Sequence, residues 1–136
     1  MGTTQNTQVL PAVMKVLAED ERVLFAYLYG SRVTDDAGND FDIAVGAEKG
    51  LDPFAVSSDL QIALHQATGL APDMFDVHVL TEDIEQADVF GLLFLRGVLE
   101  HGRLLKDAAP DRRADYLERY ALKYRECEGL IQEVLA

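Results

Sequence analysis

Apolar residues recur at three- and four-residue spacing between Thr7 and Leu17, at Val9, Leu10, Val13, Val16 and Leu17. That period predicts an amphipathic helix ending near Ala18, with Pro11 tolerated in its first turn. After the polar run Glu19 to Arg22 comes VLFAYLY, which is rich in β-formers and apolar on both parities. It predicts a strand covered on both faces that stops at Gly30. Ser31 to Asn39 has no apolar period and reads as a loop, and Phe41 to Val45 reads as a second strand. Leu51-Asp52-Pro53 supplies an N-cap and a first-turn proline. A helix of about 16 residues follows, with Phe54, Ala55, Ser58, Ile62 and His65 on its stripe and Gly69 closing it.

The second half continues with MFDVHVL, where Phe75, Val77 and Val79 alternate with Met74, Asp76 and His78, the pattern of a third strand. A helical period then runs from Thr81 to Glu100, with Ile84, Val89, Leu92, Leu93 and Leu99 inward and Gly102 just past its end. Arg103 to Lys106 can form a short fourth strand. Pro110 opens a long final helix to about Val134, apolar at Leu117, Tyr120, Tyr124, Cys127, Leu130, Ile131 and Val134. This order has no internal repeat and no linker. It predicts a single α/β (α+β) domain over residues 1–136, a small mixed β-sheet flanked by helices. The final helix, about 110–134, is expected to pack on the domain or on a partner.

Composition narrows the function classes. With 136 residues, 49% of them hydrophobic and 26% charged, the chain can bury one core and is neither disordered nor low-complexity. Twelve Lys plus Arg against 24 Asp plus Glu leave a net charge of -12. Such a surface repels phosphate backbones and anionic lipid, so neither nucleic acid nor membrane is expected as a direct partner. A basic protein or a metal-chelated nucleotide matches it better. The single cysteine, Cys127, excludes an internal disulfide and points to a reducing compartment. The N-terminal MGTTQNTQVL has no basic and apolar signal pattern, and no tract approaches the roughly 20 apolar residues of a membrane span. The expectation is a cytoplasmic protein.

Carboxylates mark the candidate site. Asp is depleted in strands, yet Asp40-Phe41-Asp42 opens the second strand and Asp76 lies within the third. Period-two geometry puts Asp40 and Asp42 on one face, and neighbouring strands would bring Asp76 to them. Each close pair would repel by roughly 4 kcal/mol at an effective dielectric of 20, so a cation is expected between them. Hard oxygen donors without thiolate select Mg²⁺ or Mn²⁺ rather than zinc, an ion suited to phosphoryl or nucleotidyl transfer. Gly30-Ser31, at the end of the first strand, would let backbone N–H groups and a hydroxyl approach phosphate. Asp73 is a rival to Asp76 as third carboxylate.

These residues resemble the minimal nucleotidyltransferases of the DNA polymerase β-like superfamily: a strand ending in Gly-Ser, a loop, D-x-D, and a third Asp on a later strand. The matching segments are LYGSR (Leu28 to Arg32), NDFDIAV (Asn39 to Val45) and FDVHVL (Phe75 to Leu80), and EHGRLLKD (Glu100 to Asp107) extends the likeness. By size the chain is similar to the antitoxin half of HEPN/MNT toxin–antitoxin pairs. The resemblance implies a nucleotidyltransferase-like fold and transfer of AMP from ATP to a tyrosine of a basic HEPN ribonuclease. It makes Asp40, Asp42 and Asp76 the metal-binding and catalytic residues, with Asp76 helping to deprotonate the acceptor. Gly30 and Ser31 would seat the phosphates and Arg32, the one cation of the loop, would touch them. One departure is that the segment from Arg32 to Asp36 is shorter and more acidic than in many members.

Other residues have plainer readings. His78 shares the face of Asp76, His65 falls on an inward stripe as a core histidine, and Cys127 joins an apolar face. Tyr116, Tyr120 and Tyr124 repeat every four residues as a core or partner stripe. Two further function classes stand beside the protein transferase: a binding module that neutralises its partner stoichiometrically, and a transferase acting on a cationic small molecule of the aminoglycoside type. Homo-oligomerisation is left open.

Overall fold

The computed structural model describes residues 2–30, 40–80 and 84–136, with side chains from residue 9 onward. The elements in order are α1 (Gly2–Glu19), β1 (Val23–Tyr29), β2 (Phe41–Ala47), α2 (Pro53–Thr68), a 3-10 turn (Pro72–Met74), β3 (Phe75–Leu80), a second 3-10 turn (Ile84–Gln86), α3 (Val89–His101), β4 (Arg103–Asp107), α4 (Pro110–Glu126) and α5 (Glu128–Leu135). The four strands form one mixed sheet in the order β3-β2-β1-β4. β2 and β3 are parallel, linked through α2, whereas β1 pairs antiparallel with both β2 and β4. The mixed sheet flanked by helices is the fold class expected from the element order.

Each face of the sheet carries its own core. Leu28, Phe41, Ile43, Val45, Phe75 and Val77 pack against Val9, Val13 and Leu17 of α1 and Val56, Leu60 and Leu64 of α2. Phe25, Tyr27, Ala44 and Leu80 pack on the opposite face against Leu92, Leu95 and Val98 of α3, Tyr116 and Tyr120 of α4, and Ile131 of α5. Covering both faces explains why β1 reads as a continuous apolar run. Tyr120 satisfies its hydroxyl by donating to Glu100 Oε2 at 2.7 Å. The tyrosine stripe is therefore core at Tyr116 and Tyr120, with Tyr124 partly buried beside it. No described helix is long and apolar enough to cross a membrane.

Several expectations are corrected. Helix α1 begins at Gly2, so Pro11 lies in its interior, where it cannot return a hydrogen bond to the preceding turn. In α2 the buried stripe is Val56, Leu60 and Leu64, while Phe54 and Ile62 are exposed. His65 is exposed as well and caps the helix end, its Nδ1 lying 2.7 Å from the Leu70 carbonyl oxygen. The caps themselves form as expected: Asp52 accepts from the Phe54 N–H, and Gly69 takes φ 76°. The helix expected from Thr81 is interrupted, because Asp88 caps a new helix by accepting from the Gly91 N–H at 2.7 Å. Gly102 follows that helix in an extended conformation, φ -76°, rather than a left-handed one. Its lack of a Cβ is needed because one would run into the Val98 carbonyl. The final helix divides at Cys127, φ -102° and ψ 8°, and the turn re-aims Ile131 into the core.

Candidate functional site

The carboxylates come together through strand register. In the parallel β2–β3 ladder Asp42 stands opposite Asp76, and in the antiparallel β1–β2 ladder Asp42 stands opposite Tyr29. Register partners share a face, so Tyr29, Asp42 and Asp76 form a row across three strands at one end of the sheet. Asp40 immediately precedes β2 and is exposed, as is Asp76, whereas Asp42 in the middle of the row is partly buried. Asp73 lies in the 3-10 turn ahead of β3, outside that row. Ser31 and Arg32 lie outside the described residues.

Gly30 fixes how close the chain comes to the row. Its φ is 77°, a left-handed conformation that L side chains rarely adopt, and a Cβ there would collide with the Asp42 carboxylate. The glycine thus permits both the turn out of β1 and the approach of backbone to Asp42. Tyr29 was not singled out from the sequence, although it directly precedes Gly30. Its phenol is pushed up to about 12 by burial first and then by the charges of Asp76 and Asp42. What hid it is the β1–β2 register, since the intervening segment could set Tyr29 against several residues of β2. Phe94 of α3, also not anticipated, meets Tyr29 edge-on at 5.4 Å and His78 at 4.8 Å.

Negative charge is concentrated along the row and just ahead of it. Burial, then the charge of Asp76, then that of Asp40 hold the Asp42 carboxyl above its ordinary range. Among the described residues, Asp40, Asp42 and Asp76 have no ion pair, although ion pairs form elsewhere, as between Arg113 and Asp107 at 3.0 Å. Two of the carboxylates stand in the row and Asp40 lies ahead of it, and among the described residues no group of three or more His, Cys, Asp or Glu is gathered to hold a metal. The donor set nonetheless suits Mg²⁺, which usually takes one or two carboxylates and completes its shell with water and substrate phosphates.

A raised carboxyl in the folded protein has a thermodynamic consequence. Because the folded state holds the Asp42 proton more tightly than the unfolded state does, the stability associated with it is greatest at low pH. It is lost as pH rises from the ordinary Asp range through the raised value. Asp42→Asn is therefore expected to raise the melting temperature of the metal-free protein at pH 7, with the advantage shrinking at acidic pH. Thermal melts across pH in a chelating buffer measure this, and an asparagine variant less stable than wild type at pH 7 would contradict the electrostatic picture.

A family model described as polymerase beta, nucleotidyltransferase, matches residues 12–108, from within α1 to just past β4, and so encloses the whole carboxylate row. Among solved structures, the chain is similar to a chain of the toxin–antitoxin MntA–HepT, at 21% identity over 96% of this chain and 99% of that one, TM-score 0.57. It is similar at 21% identity, with full coverage of both chains and TM-score 0.55, to a chain of the tri-AMPylated Shewanella oneidensis HEPN toxin in complex with MNT antitoxin. A toxin–antitoxin structure with AMP-PNP gives 22% identity over 93% and 98% of the two chains, TM-score 0.61. At these identities the likeness is one of fold. No curated protein matches the chain.

Proposed function

Because the chain belongs to the polymerase β nucleotidyltransferase family, we propose that it is a Mg²⁺- or Mn²⁺-dependent antitoxin of the cytoplasm that moves AMP from ATP to a tyrosine hydroxyl of a basic HEPN-type toxin. The observation that carries this reading is the register that sets Asp42 beside Asp76, with Asp40 just ahead and Gly30 against Asp42. The structures of similar fold support the donor and the acceptor class: one is of a HEPN toxin bearing AMP groups, and another contains AMP-PNP. The net charge of -12 supports a basic partner.

Asp40, Asp42 and Asp76 would hold the divalent ion, which when bound neutralises charge on the reacting phosphate. Gly30 lets backbone N–H groups approach the phosphate tail, and Ser31 and Arg32 are assigned to complete that contact. The acceptor oxygen forms its bond to the α-phosphorus as the bond to the pyrophosphate bridging oxygen breaks, and pyrophosphate leaves. Asp76 would take the hydroxyl proton, a role that its exposure on the edge strand β3 supports.

Binding and chemistry can be tested separately. ATP with Mg²⁺ is expected to raise the melting temperature by several degrees, through mass action on the folded state. The Asp40→Asn, Asp42→Asn double variant should lose that shift. Equal shifts in both proteins would remove the carboxylates from the site. Incubation with ATP, Mg²⁺ and the co-purified partner should then add AMP mass increments to a partner tyrosine.

A further inference from the structure

Resting on the nucleotidyl-transfer reading above, we infer that Tyr29 is a second acceptor: without a partner tyrosine in place, the protein moves AMP from ATP to its own Tyr29 hydroxyl and so closes its site. The residue is selected by its place in the row, the direction of its ring and its unbonded hydroxyl.

Place comes from the sheet. Tyr29 is the last residue of β1 and stands opposite Asp42, which stands opposite Asp76 on the next strand. Adjacent strands lie roughly 4.8 Å apart, so a phosphorus bound at Asp42 and Asp76 would be within reach of a tyrosine side chain rooted on β1. Direction comes from α3. The Phe94 ring meets Tyr29 edge-on with centroids 5.4 Å apart, and it meets His78 of β3 at 4.8 Å. A ring that touches both holds Tyr29 over the sheet, toward β3. The charges acting on the phenol agree, with Asp76 ahead of the register partner Asp42. Gly30 turns away at the β1 end, where the phosphate tail is assigned. Departing pyrophosphate and a phenol oxygen leaning toward Asp76 then lie on opposite sides of the α-phosphorus, as in-line displacement requires.

The other four tyrosines have surroundings that exclude them. Tyr116 and Tyr120 are core residues, each 6% exposed. Tyr27 is buried too and pairs with Ala44, two residues along β2 from Asp42. Hydroxyls are engaged at Tyr27, which accepts from Arg113 at 3.3 Å, and at Tyr124, which accepts from Arg96 at 3.2 Å. Tyr29 is only partly buried, and among the described residues its hydroxyl has no hydrogen-bond partner.

The chemistry is the transfer already proposed, turned inward. The Tyr29 Oη bonds to the α-phosphorus as the bond from that phosphorus to the bridging oxygen of pyrophosphate breaks. Pyrophosphate leaves with the electron pair, and Asp76 takes the phenolic proton. AMP then fills the row and keeps the next ATP out. A partner tyrosine that occupies the acceptor position first prevents this, so a chain held with ATP but without its partner switches itself off.

The test incubates the purified chain with ATP and Mg²⁺ in the absence of partner and follows its intact mass. One AMP increment is expected, mapping to Tyr29 by peptide mass spectrometry, at a rate per molecule unchanged by about tenfold dilution because the step is intramolecular. Tyr29→Phe keeps the ring against Phe94 and should lose the increment. Transfer to partner added afterwards is the second readout. Preincubation with ATP and Mg²⁺ should lower it in wild type in proportion to the fraction modified, and should not lower it in Tyr29→Phe relative to the same variant without preincubation. Three results would overturn the inference while leaving the transferase reading intact: a chain that modifies the partner but never itself, an increment that maps elsewhere or persists in Tyr29→Phe, or a rate that rises with protein concentration. If neither chain nor partner ever gains mass, the transferase reading fails, and this inference with it.

Discussion

Replacing Asp42 by alanine is expected to lower AMP transfer by on the order of 100- to 1,000-fold while the variant still binds its partner. Asp42 is the central member of the row, opposite both Tyr29 and Asp76, and the one whose charge the fold already strains to accommodate. On the proposed function, its loss removes a ligand of the divalent ion. Because it is partly buried, it offers little surface to a macromolecular partner. Intact-mass measurement of the partner after incubation with ATP and Mg²⁺ reads the transfer, and co-purification reads the binding. Asp76→Asn should lose transfer likewise and Asp73→Asn should not, since only the former stands in the row. Should the alanine variant neutralise the partner as well as wild type while neither protein ever adds mass, the protein acts as a stoichiometric binder instead.

The strand carboxylates were legible because they break a rule. A charged Asp within MFDVHVL, or two flanking Phe41, have no packing reason to be there, which is what makes them candidates. The strands themselves were legible in their apolar runs, and α2 in its caps, because Asp52 and Gly69 act through local hydrogen bonds and backbone conformation. Register was not legible. Which residue of β1 faces Asp42 depends on the path between them, and so Tyr29 escaped notice. Helix faces were only partly legible: in α2 both Phe54–Ser58–Ile62 and Val56–Leu60–Leu64 have helical spacing, and only the position of the sheet decides which is buried. The breaks at Asp88 and Cys127 escaped for a related reason. Apolar period continues across both, and the chain turns there to aim Leu92 and Ile131 at a core built largely by other elements.

Gly30→Ala is expected to cost as much activity as the loss of a ligand, though it adds only one methyl group. Two effects combine at this position, and the fold supplies controls that separate them. The first is conformational: φ at Gly30 is 77°, and holding alanine there costs about 1–2 kcal/mol. For a chain of this size that is a loss of roughly 3–5 °C in melting temperature per kcal/mol. Gly50 and Gly69 share the conformation, with φ 87° and 76°, but a Cβ at either meets nothing within 4 Å. Gly50→Ala and Gly69→Ala should therefore show the stability loss alone, with transfer close to wild type below the melting range. The second effect belongs to Gly30 only, because its new methyl group strikes the Asp42 carboxylate and must displace it. A shift of about 1 Å in a positioned group can cost on the order of 100-fold in rate, so Gly30→Ala should lose that much transfer on top of a comparable drop in stability. Measuring melting temperature and transfer rate for all three variants decides the matter. Full transfer by Gly30→Ala would mean that the Asp42 carboxylate does not act from where the fold holds it. Equal losses of transfer in all three would reduce the effect to stability.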